Sequence, residues 1–304
     1  MRKVIALTAA AGLLVTLAGC TVSAPSGPCE PIPAGDASKL VTVDGKFGEQ
    51  PKVEFPTPLT TDDLEVSVVE KGDGATIHDG DFIFLTYTGY DATTGEQASP
   101  TSSGRLIADQ DTDAYRLFEC LTVGSRVAAV LPATEQTETA AATVTSLLVI
   151  DIDRAVHSRA TGRIELPAEG MPSVVTAPEG DPGITIMNED PPKALKYSTL
   201  ITGDGKKVKQ GDQVLLQYTI VNWDTKAIVE STWDKAGFPT TRAFTAFDPE
   251  SGEGMNSAAL TALKGKTVGS QVLVVMPPST WAGGDIQATE GSTLVVVYDI
   301  LAIE

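Results

Sequence analysis

Side chains follow a period of two over residues 82–87 and 214–219, which predicts β-strands. The residues that share one face of these strands are Ile83, Leu85 and Tyr87 in the first stretch and Val214, Leu216 and Tyr218 in the second. Asp-Gly and Gly-Asp pairs between strands supply the positive φ angles of tight turns. Short runs compatible with a helix occur at residues 112–121 and 255–265. Many antiparallel strands with one short helix in each half predict an α+β fold, in which a sheet wraps around the helix.

The two halves of the chain repeat one another in sequence. The stretch VVEKGDGATIHDGDFIFLTYT, which begins at Val68, returns from Leu200 as LITGDGKKVKQGDQVLLQYT. A second block, LTVGSRVAAVLPA, returns as KTVGSQVLVVMPP, and the closing strand LLVIDIDRA returns as LVVVYDILA. Three blocks in the same order predict two copies of one domain, arranged in tandem.

Composition places the boundaries between these units. Residues 20–40 are rich in Pro, Ser, Ala and Gly, which predicts a flexible tether. We expect the first copy to span residues 41–156 and the second copy to span residues 157–304. Within the second copy, the Pro-rich residues 177–194 predict a loop region.

Composition and charge also exclude several classes of protein. The chain has 304 residues, 42% of them hydrophobic, which is enough for one large or two ordinary globular domains. A net charge of −18 repels a phosphate backbone, so we expect no nucleic-acid partner. Two histidines and three cysteines, with no CxxC or HExxH motif, are too few and too scattered for a zinc site. We therefore expect no metal, no cofactor, and no catalytic role for His78 or His157.

The N-terminus has the pattern of a secretory signal. Basic Arg2 and Lys3 precede the apolar run VIALTAAAGLLVTLAG, which is too short to span a bilayer permanently. The run ends in Leu-Ala-Gly-Cys at residues 17–20, which resembles the bacterial lipobox. We expect residues 1–19 to be a signal peptide and Cys20 to carry a lipid anchor. The alternative is an ordinary signal peptide with a chance cysteine.

These signals predict an exported protein, lipid-anchored to the outer face of the bacterial cell membrane. Loss of Arg2 and Lys3 lowers the basic count from 22 to 20, against 40 acidic residues. The mature chain would then carry a net charge of about −20, so we expect its acyl chains, and not anionic lipid, to hold it at the membrane.

Export also bears on the remaining cysteines, because disulfides form in oxidising compartments. We expect Cys29 to bond Cys120, which would tie the tether to the first copy and contribute about 2–4 kcal/mol. The alternative is two free thiols, with Cys120 simply buried.

The order of motifs in each copy resembles the FKBP-type peptidyl-prolyl isomerases. That order is a Gly-Asp turn, a strand ending in Tyr-Thr, a short helix, Thr-Val-Gly-Ser, a strand, a Pro loop and a closing strand with Asp-Ile. The resemblance covers roughly residues 65–154 and 196–304, and the tandem form behind a lipobox resembles exported bacterial FKBP-type lipoproteins. It implies rotation of X-Pro bonds in proline-containing segments of exported proteins. The barrier of about 18–20 kcal/mol falls in an apolar pocket, because the twisted imide has lost its polar resonance.

The family's pocket pattern maps onto the second copy with losses. The family's Phe-Asp-Ser-Ser segment becomes Val-Glu-Ser-Thr at residues 229–232, and Ala259 stands near the usual tryptophan, with Met255 close by. The pocket residues that the resemblance implies are Tyr218, Val229, Glu230, Phe244, Trp281 and Val296.

The first copy departs further from the family pattern. Tyr87 matches the pocket tyrosine, but Gln-Ala-Ser-Pro at residues 97–100 replaces the Phe-Asp-Ser-Ser segment. Ala114 lies near the tryptophan position, and no aromatic residue follows Pro132 in its loop. We therefore expect a degenerate first pocket and any isomerase activity in the second copy.

Three functions remain open from the sequence. The first is an exported prolyl isomerase. The second is a non-catalytic FKBP-fold chaperone or protein-binding lipoprotein, in which Tyr218 is an ordinary core residue with a satisfied hydroxyl. The third, a solute-binding lipoprotein, is disfavoured because the alternating βα units of that class are missing.

Overall fold

The computed structural model describes residues 21–22, 31–108, 113–134, 144–178, 180–233, 239–281, 286, 288 and 291–304. The signal peptide, Cys20 and Cys29 lie outside these residues, so the predictions made for them stay predictions. No helix within the described ranges is long and apolar enough to cross a membrane.

Strands dominate the structure, with 46% of the described residues in strands and 7% in helices. The strands are β1 (Thr21–Val22), β2 (Thr42–Asp44), β3 (Lys52–Glu54), β4 (Glu65–Glu70), β5 (Asp81–Asp91), β6 (Gln97–Ile107), β7 (Arg126–Leu131), β8 (Ser146–His157), β9 (Gly162–Ile164), β10 (Ser173–Thr176), β11 (Pro182–Thr185), β12 (Lys196–Thr202), β13 (Gln213–Asn222), β14 (Ile228–Ser231), β15 (Thr240–Ala243), β16 (Gln271–Met276) and β17 (Leu294–Ile303). The helices are a 3-10 turn (Ser38–Leu40), α1 (Asp113–Arg116), α2 (Ser257–Leu263) and α3 (Pro278–Trp281).

The α+β prediction is therefore wrong, because only α2 among the described helices reaches seven residues. In the first half, the run at residues 112–121 forms helix only from Asp113 to Arg116. Turns follow, and Cys120 takes a positive φ of 65°, which no continuing α-helix allows. Helices this short are marginal on their own, whereas the strands run to 12 residues, so strands make up most of the ordered elements in the described part of the chain.

Two sheets carry the same strand order. The smaller sheet has the order β4-β7-β8-β5-β6. The larger sheet contains β12-β16-β17-β13-β14, with β15 also paired to β13 and with β9 and then β1 added at the β12 edge. Each strand of the first set occupies the place of its sequence repeat in the second.

The repeated motifs also make the same hydrogen bonds in both halves. Gly72 N donates to Ser125 Oγ at 2.9 Å, and Gly203 N donates to Ser270 Oγ at 3.1 Å. These glycines lie so close to the facing loop that an added Cβ would come within 2.1 Å of the Val123 carbonyl oxygen in the first half. The Thr-Val-Gly-Ser block and the Gly-Asp-Gly turn therefore form one structural unit, used twice.

Each sheet is covered on both faces. Around α2, one face of the larger sheet packs into an apolar cluster that includes Leu216, Tyr218 and Val296. The opposite face is covered by the β10–β11 hairpin, which contributes Val174 and Ile184. Because both faces are buried, β13 is buried at every residue from Val214 to Asn222.

The smaller sheet has a matching hairpin. Strands β2 and β3 pair through Val43 and Val53, and both valines pack on the sheet face that contains Val130 and Val149. Residues 31–40, assigned by composition to the tether, also pack on this sheet, where Ser38 N donates to Glu65 Oε2 at 2.7 Å.

The two sheets meet through a small apolar cluster. Phe82 of β5 lies against Leu215 of β13 and Leu301 of β17, and all three are nearly or fully buried. At the edge of this cluster Arg154 donates to Glu304 at 2.7 Å.

Candidate functional site

A narrow cavity opens on the helix-side face of the larger sheet. Its volume is about 10 Å³, which holds about one water molecule. The lining side chains come from β13, β14, β15, β17, the segment before α2 and the loop after α3: Leu216, Tyr218, Ile220, Glu230, Arg242, Met255, Ile286 and Tyr298. The wall is thus mixed, with four apolar side chains and a polar group formed by Tyr218, Glu230, Arg242 and Tyr298.

Tyr218 contacts two other members of that polar group, Glu230 and Tyr298. Strand alternation on β13 points its ring to the helix-side face, where it is 6% exposed. Its hydroxyl donates to Glu230 Oε1 at 2.5 Å, and its ring lies 5.9 Å from the ring of Tyr298. Tyr298 stands directly opposite Tyr218 in the β13–β17 register.

The Tyr218 hydroxyl is a hydrogen-bond donor that stays un-ionised at neutral pH. Burial and the hydrogen bond to Glu230 raise the pKa of Tyr218 to about 12, and Arg242 opposes that rise. The phenol therefore keeps its proton at neutral pH and can donate a hydrogen bond to one acceptor.

The strand end that carries Glu230 is fixed by backbone contacts. Glu230 pairs with Ile220 in the β13–β14 register. Two residues further on, Thr232 Oγ1 accepts from Tyr218 N at 2.9 Å, and Thr232 N donates to the Tyr218 carbonyl at 3.0 Å. Glu230 itself is exposed, so the carboxylate lies at the rim of the cavity.

The other pocket residues implied by the resemblance lie around the cavity without lining it. Phe244, Trp281 and Val296 are buried in the same apolar cluster as Tyr218, and Val229 packs against it partly buried. Trp281 Nε1 donates to the Ser292 carbonyl at 3.0 Å, which gives the indole an ordinary structural role. Of the residues implied for the site, Tyr218 and Glu230 alone line the cavity.

Sequence reasoning missed Arg242, Ile286 and Tyr298. Tyr298 reaches the site through the pairing of β17 with β13, and Arg242 reaches it because β15 pairs with β13 at Val214. Both contacts depend on strand register across long loops. The signal that could have found Tyr298 is its place beside the Asp-Ile motif of the closing strand, since that strand adjoins β13.

The first half has no matching carboxylate on the strand beside Tyr87. Across β5, Tyr87 faces Ser102 on β6 and Ile150 on β8. Where β14 carries Glu230, the corresponding end of β6 carries Gln97 and Ser99, and the Ser99 hydroxyl accepts from Gly89 N at 3.0 Å. Tyr87 is half-buried and packs on the apolar cluster of the smaller sheet, which includes Ile83 and Leu85.

Cys120 is disulfide-bonded, and its predicted partner Cys29 lies outside the described residues. Within the described ranges, no group of three or more His, Cys, Asp or Glu side chains could hold a metal ion.

No protein-family model and no curated protein matches the chain. Among solved structures it is similar to FKBP-type proteins. The three FKBP domains of wheat FKBP73 share 12% identity with it over 79% of this chain and 94% of theirs, with a TM-score of 0.31. FkpA from Escherichia coli shares 22% identity over 45% of this chain and 53% of its own length, also with a TM-score of 0.31. A putative peptidyl-prolyl cis-trans isomerase, FKBP12 from Mycobacterium tuberculosis, shares 22% identity over 38% of this chain and 88% of its own, with a TM-score of 0.28.

Proposed function

We propose that this chain is a peptidyl-prolyl cis–trans isomerase that acts on X-Pro bonds of exported proteins at the cavity beside Tyr218. The observation that supports this is a protonated phenol, hydrogen-bonded to a rim carboxylate, on the wall of a cavity that is apolar on the side of Leu216, Ile220 and Met255. The proposal divides the chain into a first copy at residues 41–156 and a second, active copy at residues 157–304.

Isomerisation of an X-Pro bond is favoured by apolar surroundings and needs no nucleophile or general base. Rotation about the imide C–N bond removes its resonance and lowers the polarity of the carbonyl. Apolar walls such as Leu216, Ile220 and Met255 therefore favour the twisted imide over the planar one. The Tyr218 hydroxyl can turn from Glu230 to a substrate carbonyl and so fix the bound peptide in place.

The substrate must widen the cavity, because a proline ring is larger than a water molecule. The cavity can widen at its rim, because Glu230 is exposed and Arg242 is only half-buried. Rotation of these two side chains opens the cavity and leaves the apolar cluster intact. We therefore propose slow turnover, limited by this opening.

The test compares Tyr218→Phe with Tyr87→Phe in the full chain, using a protease-coupled assay on Ala-X-Pro-Phe peptides. Loss of one hydrogen bond of about 1 kcal/mol predicts about a fivefold lower kcat/KM for Tyr218→Phe. Tyr87 is the repeat-matched control and should leave kcat/KM unchanged. Urea midpoints of both variants show whether the fold is intact.

Two outcomes oppose the proposal. No acceleration by the native chain would remove the isomerase function altogether. An equal loss in both variants would remove the role assigned to Tyr218.

The small cavity favours a second candidate function, a non-catalytic FKBP-fold chaperone or protein-binding lipoprotein. The two candidates differ in how they respond to a larger cavity. Ile286→Ala removes methylene and methyl groups from the wall, so an enzyme limited by opening should turn over faster. A binding protein should show no turnover in either form, while it still slows aggregation of an unfolded exported protein.

We further propose that the protein is exported and held on the outer face of the bacterial membrane by lipid on Cys20. Palmitate labelling should be lost in Cys20→Ser, and labelling that persists would contradict the anchor. With Cys20 acylated, Cys29 is left as the partner of the disulfide-bonded Cys120. The mature, unreduced protein should then show no reactive thiol, whereas free thiols would refute this pairing.

A further inference from the structure

A set of exposed lysines, here named the lysine face, projects from one end of the larger sheet. It consists of Lys206, Lys207, Lys209 and Lys264. Two segments that run side by side bring these lysines together: Lys207 bridges Thr267, and Val208 N donates to the Lys266 carbonyl at 2.8 Å. None of the lysines in this face forms a salt bridge within the described residues.

The fold of this turn does not require lysine. The repeated turn in the first half makes the equivalent bridge, Thr76 with Thr122, without a lysine at any matching position. Its positions matching the lysine face are Ala75, Thr76, His78 and Glu119. The lysines are therefore a property of the second half alone, in a chain whose net charge is −18.

Acidic neighbours reduce this local charge only in part. Asp204 lies exposed in the same turn, and the Asp212 carboxylate accepts from Lys209 N at 2.7 Å. Lys266 lies beside the face but is half-buried, where its Nζ donates to Thr199 Oγ1 at 2.7 Å. The face keeps an excess of positive charge.

The N-terminal strand places this face near the start of the mature chain. In β1, Thr21 pairs with Arg163 of β9, and Arg163 pairs with Thr202 at the end of β12. Two strand spacings put Thr21 about 10 Å from Thr202. The turn with the lysine face begins just after Thr202, and Thr21 follows Cys20 directly.

We propose that the lysine face rests on the anionic headgroups of the membrane in which Cys20 is anchored. This inference depends on the lipid anchor proposed above. A lipid on Cys20 brings β1, and with it the end of β12, to the membrane surface. The lysines there supply the second, electrostatic contact that a lipid anchor uses to hold a defined orientation.

The acidity of the whole chain does not oppose this contact. At physiological salt the Debye length is about 8 Å, so only charges close to the surface feel the lipid headgroups. Acidic residues further from the bilayer are screened. The face against the membrane decides the orientation, and the net charge does not.

The test is an amine-acetylation footprint of the full, lipidated chain on vesicles, read by mass spectrometry. Vesicles of phosphatidylcholine alone are compared with vesicles that contain 30% phosphatidylglycerol. Lys206, Lys207, Lys209 and Lys264 should react at least fivefold more slowly on the anionic vesicles, and 0.5 M NaCl should restore their reactivity. Lys46 and Lys52 in the first half should not change.

A charge variant separates the face from its surroundings. The pair Lys207→Gln and Lys264→Gln should abolish the protection of Lys206 and Lys209, whereas Lys46→Gln with Lys52→Gln should keep it.

Equal reactivity on both vesicle types, with palmitate labelling present, would overturn the lysine-face contact and leave the anchor standing. Protection that is as strong on phosphatidylcholine alone would mean that anionic headgroups are not what covers the lysines, and would equally overturn the proposal. Absence of palmitate labelling would remove the anchor and this inference with it, while the isomerase assay stays independent.

Discussion

Asp151 and Asp299 occupy the same position of the two sheets, but their partners differ. Asp151 binds Arg126 in the neighbouring strand, with Nε to Oδ1 at 2.6 Å, and both residues are nearly fully buried. Asp299 has Gln271 in that place, which donates to Oδ1 at 2.8 Å, while Ala160 N donates to Oδ2 at 2.7 Å. The second half therefore buries a carboxylate without a charge that neutralises it directly.

This difference predicts a pH-dependent stability in which Asp299 is the titrating group. Burial raises the pKa of Asp299 to about 7, against hydrogen bonds from Ala160 and Gln271 and the charge of Arg159, which lower it. The folded pKa lies above the unfolded value of 3.8, so folding is favoured most below pH 4, and that advantage is lost as pH rises through 7. Each pKa unit corresponds to about 1.4 kcal/mol, so the charge on Asp299 costs on the order of 4 kcal/mol at pH 8.

Asp299→Asn should flatten this dependence. The Asn amide accepts from Ala160 N and donates to a flipped Gln271, so both hydrogen bonds persist without a charge. Urea unfolding between pH 4 and pH 8 should show the variant more stable than the native chain at pH 8 and nearly equal to it at pH 4. Parallel curves for the two proteins would contradict the role of Asp299. As a control, Asp151→Asn strands Arg126 and should cost about 3–5 kcal/mol at every pH in this range.

At the scale of the element, the close packing of the Gly-Asp-Gly turn predicts how alanine substitutions change stability. At Gly203 an added Cβ would lie 2.2 Å from the Val268 carbonyl oxygen, so the turn and the facing loop would have to separate. Gly203→Ala should therefore destabilise the chain by about 1–3 kcal/mol. At Gly183 in β11 the nearest atom to an added Cβ is 3.4 Å away, so Gly183→Ala should stay within about 0.5 kcal/mol of the native chain. Urea midpoints measure both, and similar values for the two variants would mean that the turn is not closely packed.

The hydrophobic pattern of the sequence predicts those strands whose own residues alternate between apolar and polar positions. The period of two over Val214, Leu216 and Tyr218 predicts β13, and the spacing of the repeats predicts which strands match. The hairpins β2–β3 and β10–β11 were missed, because each strand has only three or four residues and Pro and Gly surround them. Their apolar residues are stabilised by a sheet that is distant in sequence, and no local window contains that contact.

The cavity shows the same limit of sequence reasoning. Tyr218 and Glu230 could be proposed from the matched motif, since both belong to one pair of neighbouring strands. Arg242 and Tyr298 join them only through the register of β15 and β17 on β13. A shift of one residue in that register would turn either side chain to the opposite face, so the sequence alone could not assign them.

At the scale of the whole molecule, the linker at residues 158–161 makes backbone hydrogen bonds to both halves of the chain. Ser158 N donates to the Gly80 carbonyl at 3.2 Å in the first half, and Thr161 N donates to the Gly269 carbonyl at 3.0 Å in the second. Between them, Ala160 N binds Asp299. The linker thus adds fixed contacts to the apolar cluster of Phe82, Leu215 and Leu301, and the two halves should not move freely.

Leu215→Ala tests whether that cluster couples the two halves. Leu215 is fully buried against Phe82, whereas the next residue, Leu216, is fully buried on the opposite face of β13 within the second half. Each substitution by alanine should cost about 2–5 kcal/mol, so the two variants are matched in chemistry and in strand. Because only Leu215 contacts the first half, hydrogen exchange at the amides of Phe82 and Val156 should accelerate at least tenfold in Leu215→Ala and little in Leu216→Ala. If both variants leave those amides unchanged, the cluster is a contact without energetic consequence, and the halves fold as independent units joined only by the linker.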